Sequence, residues 1–285
     1  MNIVHVYKQF PTQEACIKHI EAVRWNGPPV CPYCKGTGHT VMKDGRYHCN
    51  GCNTSYSVTV GTIFHHTHLP LQKWFIAISI VLNAKKGIAA RQLARDIEVT
   101  KDTAWRMQMQ IRRAMRQYEE LLRGIVEMDE TYVGGKPRGG TGPHKRGRGS
   151  DKIPVVGIVE RDGCVKAKIQ DKTKLKFVNL RKIVRENVDT ETTVLMTDDY
   201  KGYSPMSNVI EHKTINHSAK CYVDGEIHTN TIEGFWAILK RGIFGQFYHI
   251  SRKYLNKYLN EFCFRYNNRK NDEVFDTLIF EGVNL

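Results

Sequence analysis

Four cysteines fall in two identical spacings, CPYC at 31–34 and CNGC at 49–52, with fourteen residues between the pairs. Two residues between thiols let one tight turn aim both sulfurs at a single tetrahedral ion, and a second such turn completes a four-sulfur set for Zn2+. Cys31, Cys34, Cys49 and Cys52 together fill every position, so no place is left for water and the zinc expected here is structural. Cys16, Cys164, Cys221 and Cys263 lack the pairing and read as small buried apolar residues. His65, His66 and His68 read as a histidine-rich loop before Pro70.

Carboxylates offer a second chemistry. VEMDETYVGGK, residues 126–136, sets adjacent acids at the end of an apolar run. If GIVEMDETY is a strand, alternation sends Asp129 and Glu130 to opposite faces, so only one of them joins a given site. The same holds for Asp198 and Asp199, which close TTVLMTDDY. Two acids at the ends of separate strands can lie side by side and offer oxygen ligands to Mg2+, an ion that takes few carboxylates plus water and substrate phosphate. HTNTIEGFWAILKRG supplies candidates for a third ligand: Asn230 and Glu233 stand three apart, on one helical face, although Asn230 also suits a helix N-cap. Lys240 and Arg241 further along face either a phosphodiester or plain solvent.

These groups need elements to hold them. Residues 11–24 read as an amphipathic helix with Thr12 as N-cap, ended by the Gly-Pro-Pro at 27–29. The cysteine segment suits short hairpins. LQKWFIAISIVLNAKKG reads as an apolar helix closing near Gly87. AARQLARDI, a tight turn at EVT and a long helix capped by Thr100 then have the outline of a helix-turn-helix, with Arg106, Arg112, Arg113 and Arg116 on the second helix.

After Arg123 the pattern becomes three strands, the last two joined at Asp162-Gly163, then a helix, two more strands and two helical stretches. That is a mixed α/β order. The expected organisation is an N-terminal helix and zinc ribbon over 1–68, a helix-turn-helix region over 69–122 and an α/β domain over 123–285. Between the first two strands, residues 134–150 carry Lys136, Arg138, Lys145, Arg146 and Arg148 with no acid, a composition suited to gripping phosphate.

Bulk composition agrees with a nucleic-acid partner. The chain has 285 residues, with 43 Lys+Arg against 29 Asp+Glu and a formal net charge of +14. A field of that sign attracts polyanions. No run of about 18 apolar residues appears, so no membrane span is expected. The N-terminus lacks the design of a signal peptide, so a cytoplasmic setting with reduced thiols is expected.

In their shared order, CPYC and CNGC, GTIFHHTHLPL, MDETYVGGK, TDDYKGY, HTNTIEGFWAILKRG and YLNEFCFRYNNR resemble bacterial insertion-sequence transposases with an N-terminal zinc ribbon and a DDE-type, RNase H-like catalytic domain. The resemblance covers nearly the whole chain. It implies Asp129 and Asp198 as the first two catalytic metal ligands and Asn230, Glu233 or both as the third, in place of a single Glu. It further implies two-metal Mg2+ or Mn2+ chemistry that cuts transposon ends and joins them to target DNA. Double-stranded DNA is the implied partner, bound by a homodimer in a nucleoid-associated setting. Arg106 and Arg112 are placed near the duplex, with Lys145, Arg146, Arg148, Lys240 and Arg241 as further DNA contacts. Two rival readings share these motifs: a non-catalytic zinc-ribbon DNA-binding regulator, and a nuclease of the same fold that cuts without joining.

Overall fold

The structure, a computed structural model, describes residues 1–117, 119–134, 152–171, 175–215 and 228–285. Lys136, Arg138, Lys145, Arg146, Arg148 and Cys221 lie outside the described residues. Two compact units are present, one made of Met1–Arg116 with Lys270–Leu285 and the other of Gln117–Arg269.

In the first unit, α1 (Ile3–Gln9) precedes α2 (Gln13–Trp25), whose cap is the expected one: the Thr12 hydroxyl accepts the Ala15 N–H at 3.2 Å. Strands β1 (His39–Val41), β2 (Tyr47–Cys49) and β3 (Thr54–Tyr56) form an antiparallel meander. Helix α3 (Leu71–Asn83) buries Trp74, Phe75, Ile78 and Val81. It ends before Gly87, which takes φ 86° and closes the turn that follows. Helices α4 (Ala90–Asp96) and α5 (Lys101–Ala114) are joined by residues 97–100, and the Thr100 hydroxyl accepts the Thr103 N–H at 3.2 Å.

The last helix, α9 (Val274–Val283), falls in this unit, although the sequence pattern groups it with the α/β domain. Phe275 packs against Phe10 and Phe75, and the Ile63 N–H donates to the Gly282 carbonyl at 2.9 Å. Among the described residues, no helix is long and apolar enough to cross a membrane.

The second unit is built on a five-stranded sheet of order β6-β5-β4-β7-β8. Here β4 is Leu122–Val133, β5 Ile153–Glu160, β6 Val165–Ile169, β7 Val188–Asp198 and β8 Glu211–Ile215. The first three strands pair antiparallel, while β4 with β7 and β7 with β8 run parallel. That mixed order, a meander extended by parallel strands, is the RNase H-like arrangement. Parallel strands need a crossover, and α6 (Phe177–Asn187) supplies it into β7.

Strand alternation divides the sheet into two chemistries. Val126, Met128, Val156, Ile158 and Leu195 turn to a core shared with Leu180 and Val184 of α6 and with Tyr203 and Met206. Glu127, Asp129 and Gly157 share the opposite face by the period of two, since Asp129 pairs with Gly157 across β4 and β5. Helix α7 (Asn230–Gly242) packs on that face, while α8 (Arg252–Asn267) lies against β6.

Gly157 permits the approach of α7, because a Cβ there would stand 2.5 Å from the Trp236 ring and 3.1 Å from Ile232 Cδ1. Gly157→Ala is therefore expected to lower unfolding free energy by about 1–3 kcal/mol, the usual penalty of an overpacked core. Urea denaturation measures it, and an unchanged midpoint would contradict this account of the contact.

Candidate active site

Four sulfurs converge in the first unit. The Sγ atoms of Cys31, Cys34, Cys49 and Cys52 all lie within 4.8 Å of one another. Cys31–Cys52 is 3.7 Å and Cys34–Cys49 is 3.5 Å. Zn–S bonds of about 2.3 Å in a tetrahedron require sulfur separations of about 3.8 Å, so the donor set fits zinc. Both knuckles use one turn: Lys35 and Asn53, each following the second cysteine of its pair, take φ 63° and 55°. Their N–H groups donate to the carbonyls of Cys31 and Cys49 at 3.0 and 2.9 Å. The Cys52 N–H, with the Cys34 thiol and the Gly51 N–H, brings the Cys49 thiol down to about 6, which favours a metal-binding thiolate.

The strand acids meet in the second unit. The β4–β7 register runs to Glu127 opposite Met196, and both strands continue two residues further, to Asp129 and Asp198. The two carboxylates therefore stand at neighbouring positions on one face of the sheet. Glu130 points the other way, as alternation requires, and accepts the Tyr203 hydroxyl at 2.8 Å. Asp198 Oδ1 accepts the Tyr200 N–H at 3.1 Å. Asp129 is pushed up to about 7, first by burial and then by the negative charges of Glu130 and Asp198. Like charges gathered this closely fit a cation.

Helix α7 is tied to these acids by Trp236, whose Nε1–H donates to Asp129 Oδ2 at 3.1 Å. Asn230 and Glu233 lie at the start of this helix, both exposed. Thr229, not Asn230, occupies the cap position, and its hydroxyl donates to Glu233 Oε1 at 3.1 Å. Among the described residues, the cysteines form the sole group of three or more Cys, His, Asp or Glu ligands with this closeness. The structure thus joins Asp129 to Asp198 and leaves Glu233 turned to its own helix end.

A carboxylate absent from the sequence reading holds α7 in place. Glu127 is 0% exposed, and its Oε2 accepts the N–H groups of Thr231 and Ile232 at 2.8 and 3.0 Å. These are unsatisfied amides of the first helical turn, so Glu127 serves as a cap supplied from another element. Its Oε1 accepts the Thr231 hydroxyl at 2.9 Å and Arg161 Nε–H at 2.7 Å. Arg161 Nη2 also donates to the His228 carbonyl at 3.0 Å. One buried ion pair thereby fixes both the segment entering α7 and the start of that helix.

The expected DNA contacts separate by burial. Arg106, Lys240 and Arg241 are exposed. Arg112 is not: at 1% exposure it lies inside the first unit, with Nη1 3.5 Å from Gln108 Oε1. The cause is helical phase, since residue 112 shares the buried side of α5 with Ala104, Gln108 and Ile111. Arg113 is the exposed arginine two turns beyond Arg106.

Residues 121–267 match the ISXO2-like transposase domain family, and residues 11–55 match the transposase zinc-ribbon domain. An uncharacterized protein in transposable element ISH50 of Halobacterium salinarum is 27% identical over 277 residues, covering 90% of this chain and 92% of that one. Among solved structures, the Mos1 strand transfer complex aligns with TM-score 0.33 and 13% identity over 74% of this chain and 75% of that one. The Mos1 paired-end complex with left transposon end gives TM-score 0.30 and 11% identity over 73% and 78%.

Two predictions follow from this geometry. Removing one partner of a buried ion pair leaves the other uncompensated, so Glu127→Leu is expected to cost about 3–5 kcal/mol in urea unfolding. Adding Arg161→Leu to it should recover part of the loss; a double variant weaker than the single one would refute the pairing. For Asp129, the folded value of about 7 exceeds the ordinary 3.8. The folded state therefore binds the proton more tightly, and this group's stabilisation is complete below about pH 4 and lost as pH rises through about 7. Asp129→Asn should melt several degrees above wild type at pH 8 in metal-free buffer, with the gap closing near pH 4.

Proposed function

The chain belongs to the ISXO2-like transposase domain family, and from that premise we propose that it is a metal-dependent DNA strand transferase that cuts the ends of an insertion sequence and joins them to target DNA. The observation that carries this reading is the placement of Asp129, inside β4, and Asp198, at the end of the adjoining parallel strand β7, on one face of the sheet, with Trp236 of α7 bonded to Asp129. Mg2+ or Mn2+ held by these acids would supply the Lewis acidity that phosphodiester attack and departure require.

The chain's own groups have definite tasks in this reading. Asp129 and Asp198 bind the metal from the sheet. Asn230, Glu233 or both complete the ligand set from α7, whose start is fixed by Glu127. Glu233 exchanges its bond to Thr229 for that role. Lys240 and Arg241, exposed on the same helix, face the DNA backbone. No covalent protein intermediate is required, because hydroxyl groups of water and then of DNA act as nucleophiles.

The zinc ribbon and the α4–α5 pair, read as a helix-turn-helix, hold the terminal inverted repeats, with Arg106 and Arg113 towards the duplex. Two copies bound to paired ends, working in the cytoplasm, complete the proposal.

The test incubates the zinc-loaded protein with DNA carrying candidate terminal repeats in Mg2+ or Mn2+. Wild type should cleave and join strands, while Asp129→Ala and Asp198→Ala should bind the same DNA and do neither. Asn230→Ala compared with Glu233→Ala identifies the third ligand by which one is inactive. Binding without cutting by wild type would establish the regulator instead, and cutting without joining would establish the nuclease.

A further inference from the structure

Past α7 the chain departs from ordinary helix geometry. Residues Ile243–Phe247 form a π turn, and Tyr248 follows at φ 59°, ψ −52°. The His249 N–H donates to the Phe247 carbonyl at 2.6 Å, which makes Tyr248 the centre of a γ-turn with positive φ. This is the strained form of that turn, and it is costly for a bulky residue. Such strain persists when the surroundings over-determine it. Here both sides are anchored: the Phe247 ring meets Tyr258 edge-on at 4.8 Å, and Ile250 is buried.

The anchored turn drives the Tyr248 ring outward. It is 80% exposed, and Phe244, one turn earlier, is 48% exposed. Core packing does not account for a strained backbone that presents an aromatic ring to water. The surrounding charge gives a reason. From Gly234 to Asn260 the sequence contains no acid and carries Lys240, Arg241, Arg252, Lys253 and Lys257. Arg252 bonds to Asp171, while Lys240, Arg241 and Lys253 are exposed. An aromatic ring fixed outward by an anchored turn, on a stretch of chain that carries these exposed cations, has the two parts of an unpaired-base site, a stacking surface and partners for the backbone phosphates.

We propose that Tyr248, with Phe244 behind it, is a stacking platform for an unpaired base of the DNA substrate. The platform continues the helix that carries Asn230 and Glu233, about 20 Å beyond Glu233 at helical rise. DNA lying along α7 would span both. A second copy of this chain is the poorer occupant, because pairing identical surfaces would oppose like charges. The proposal takes its substrate class from the strand-transferase reading.

The experiment uses the full zinc-loaded chain without added Mg2+ or Mn2+. Two fluorescein-labelled 30-mer duplexes of arbitrary sequence serve as probes, one fully paired and one carrying an unpaired 2-aminopurine bulge. Wild type is expected to bind the bulged probe about tenfold more tightly and to change its 2-aminopurine emission on binding. Tyr248→Ala should lose the preference and the emission change while binding the paired duplex within about twofold of wild type. Tyr248→Phe should retain both. Tyr248→Gly should relieve the strain and raise the melting temperature, yet behave as the Ala variant towards DNA.

Equal binding of the two probes by wild type overturns the platform. So does a Tyr248→Ala variant that keeps the emission change, or one that weakens both probes equally. A shift in sedimentation for Tyr248→Ala alone overturns it in favour of self-association. Absence of strand cutting in the separate assay with terminal-repeat DNA and Mg2+ or Mn2+, with an intact emission change here, refutes the transferase reading alone, whereas cutting in that assay by a wild type without the emission change refutes the platform alone.

Discussion

A single buried carboxylate governs the geometry of the second unit. Glu127 sits inside a strand whose neighbours are apolar, and it survives there because every lone pair it offers is taken by a helix amide, a hydroxyl or a guanidinium. An uncompensated charge at this depth would cost several kcal/mol, so the carboxylate specifies its partners strongly. Helix α7 must start where its first amides can reach β4. Once that start is set, the helical period brings Trp236 over Gly157 and onto Asp129. The candidate third ligands, on the same first turns of α7, inherit their position from the same contact.

The arrangement also explains why acids of similar type behave differently along one strand. Glu127 is balanced by Arg161 and helix amides, so its charge is stabilised where it lies. Asp129, two residues on, lies near the charges of Glu130 and Asp198, and its donors are the neutral Glu130 N–H and Trp236 Nε1–H. It is a charge short of a partner, which is the condition a divalent cation relieves. Along β4, then, Glu127 serves architecture, while Asp129 is the carboxylate placed to take a cation in the proposed reaction.

Much of this was legible in the chain itself, to the extent that the signals were local. Cysteine knuckles depend on spacing over four residues, and the two pairs reappear as one cluster. Asp198 closes its strand as its sequence position suggests, whereas Asp129 lies inside β4, which runs on to Val133; the caps at Thr12 and Thr100 follow from residue type. What escaped depends on distant partners. Glu127 shares a face with Asp129 by alternation, which was the available signal, but its role needs Arg161 and α7 in space. Arg112 was misplaced because arginines on a helix suggest solvent, whereas the apolar side formed by Ala104 and Ile111 extends to position 112. In α9, VFDTLIFEGV, the apolar residues are broken by Asp276, Thr277 and Glu281, and the docking of the helix against Phe10 and Phe75 cannot be read from nearby sequence.

The return of α9 to the first unit imposes an order on biosynthesis. Along the chain, residues 117–269 separate the two portions of one compact body, so that body lacks a core helix until residues 274–283 have been made. A ribosome-bound chain halted before residue 274 would carry the zinc knuckles and α5 with Phe10, Ile63 and Phe75 missing their α9 neighbours. Maturation of the body that holds the zinc knuckles in this way waits until α9 has been made, and a chain stopped short of it leaves that earlier-made portion unfinished.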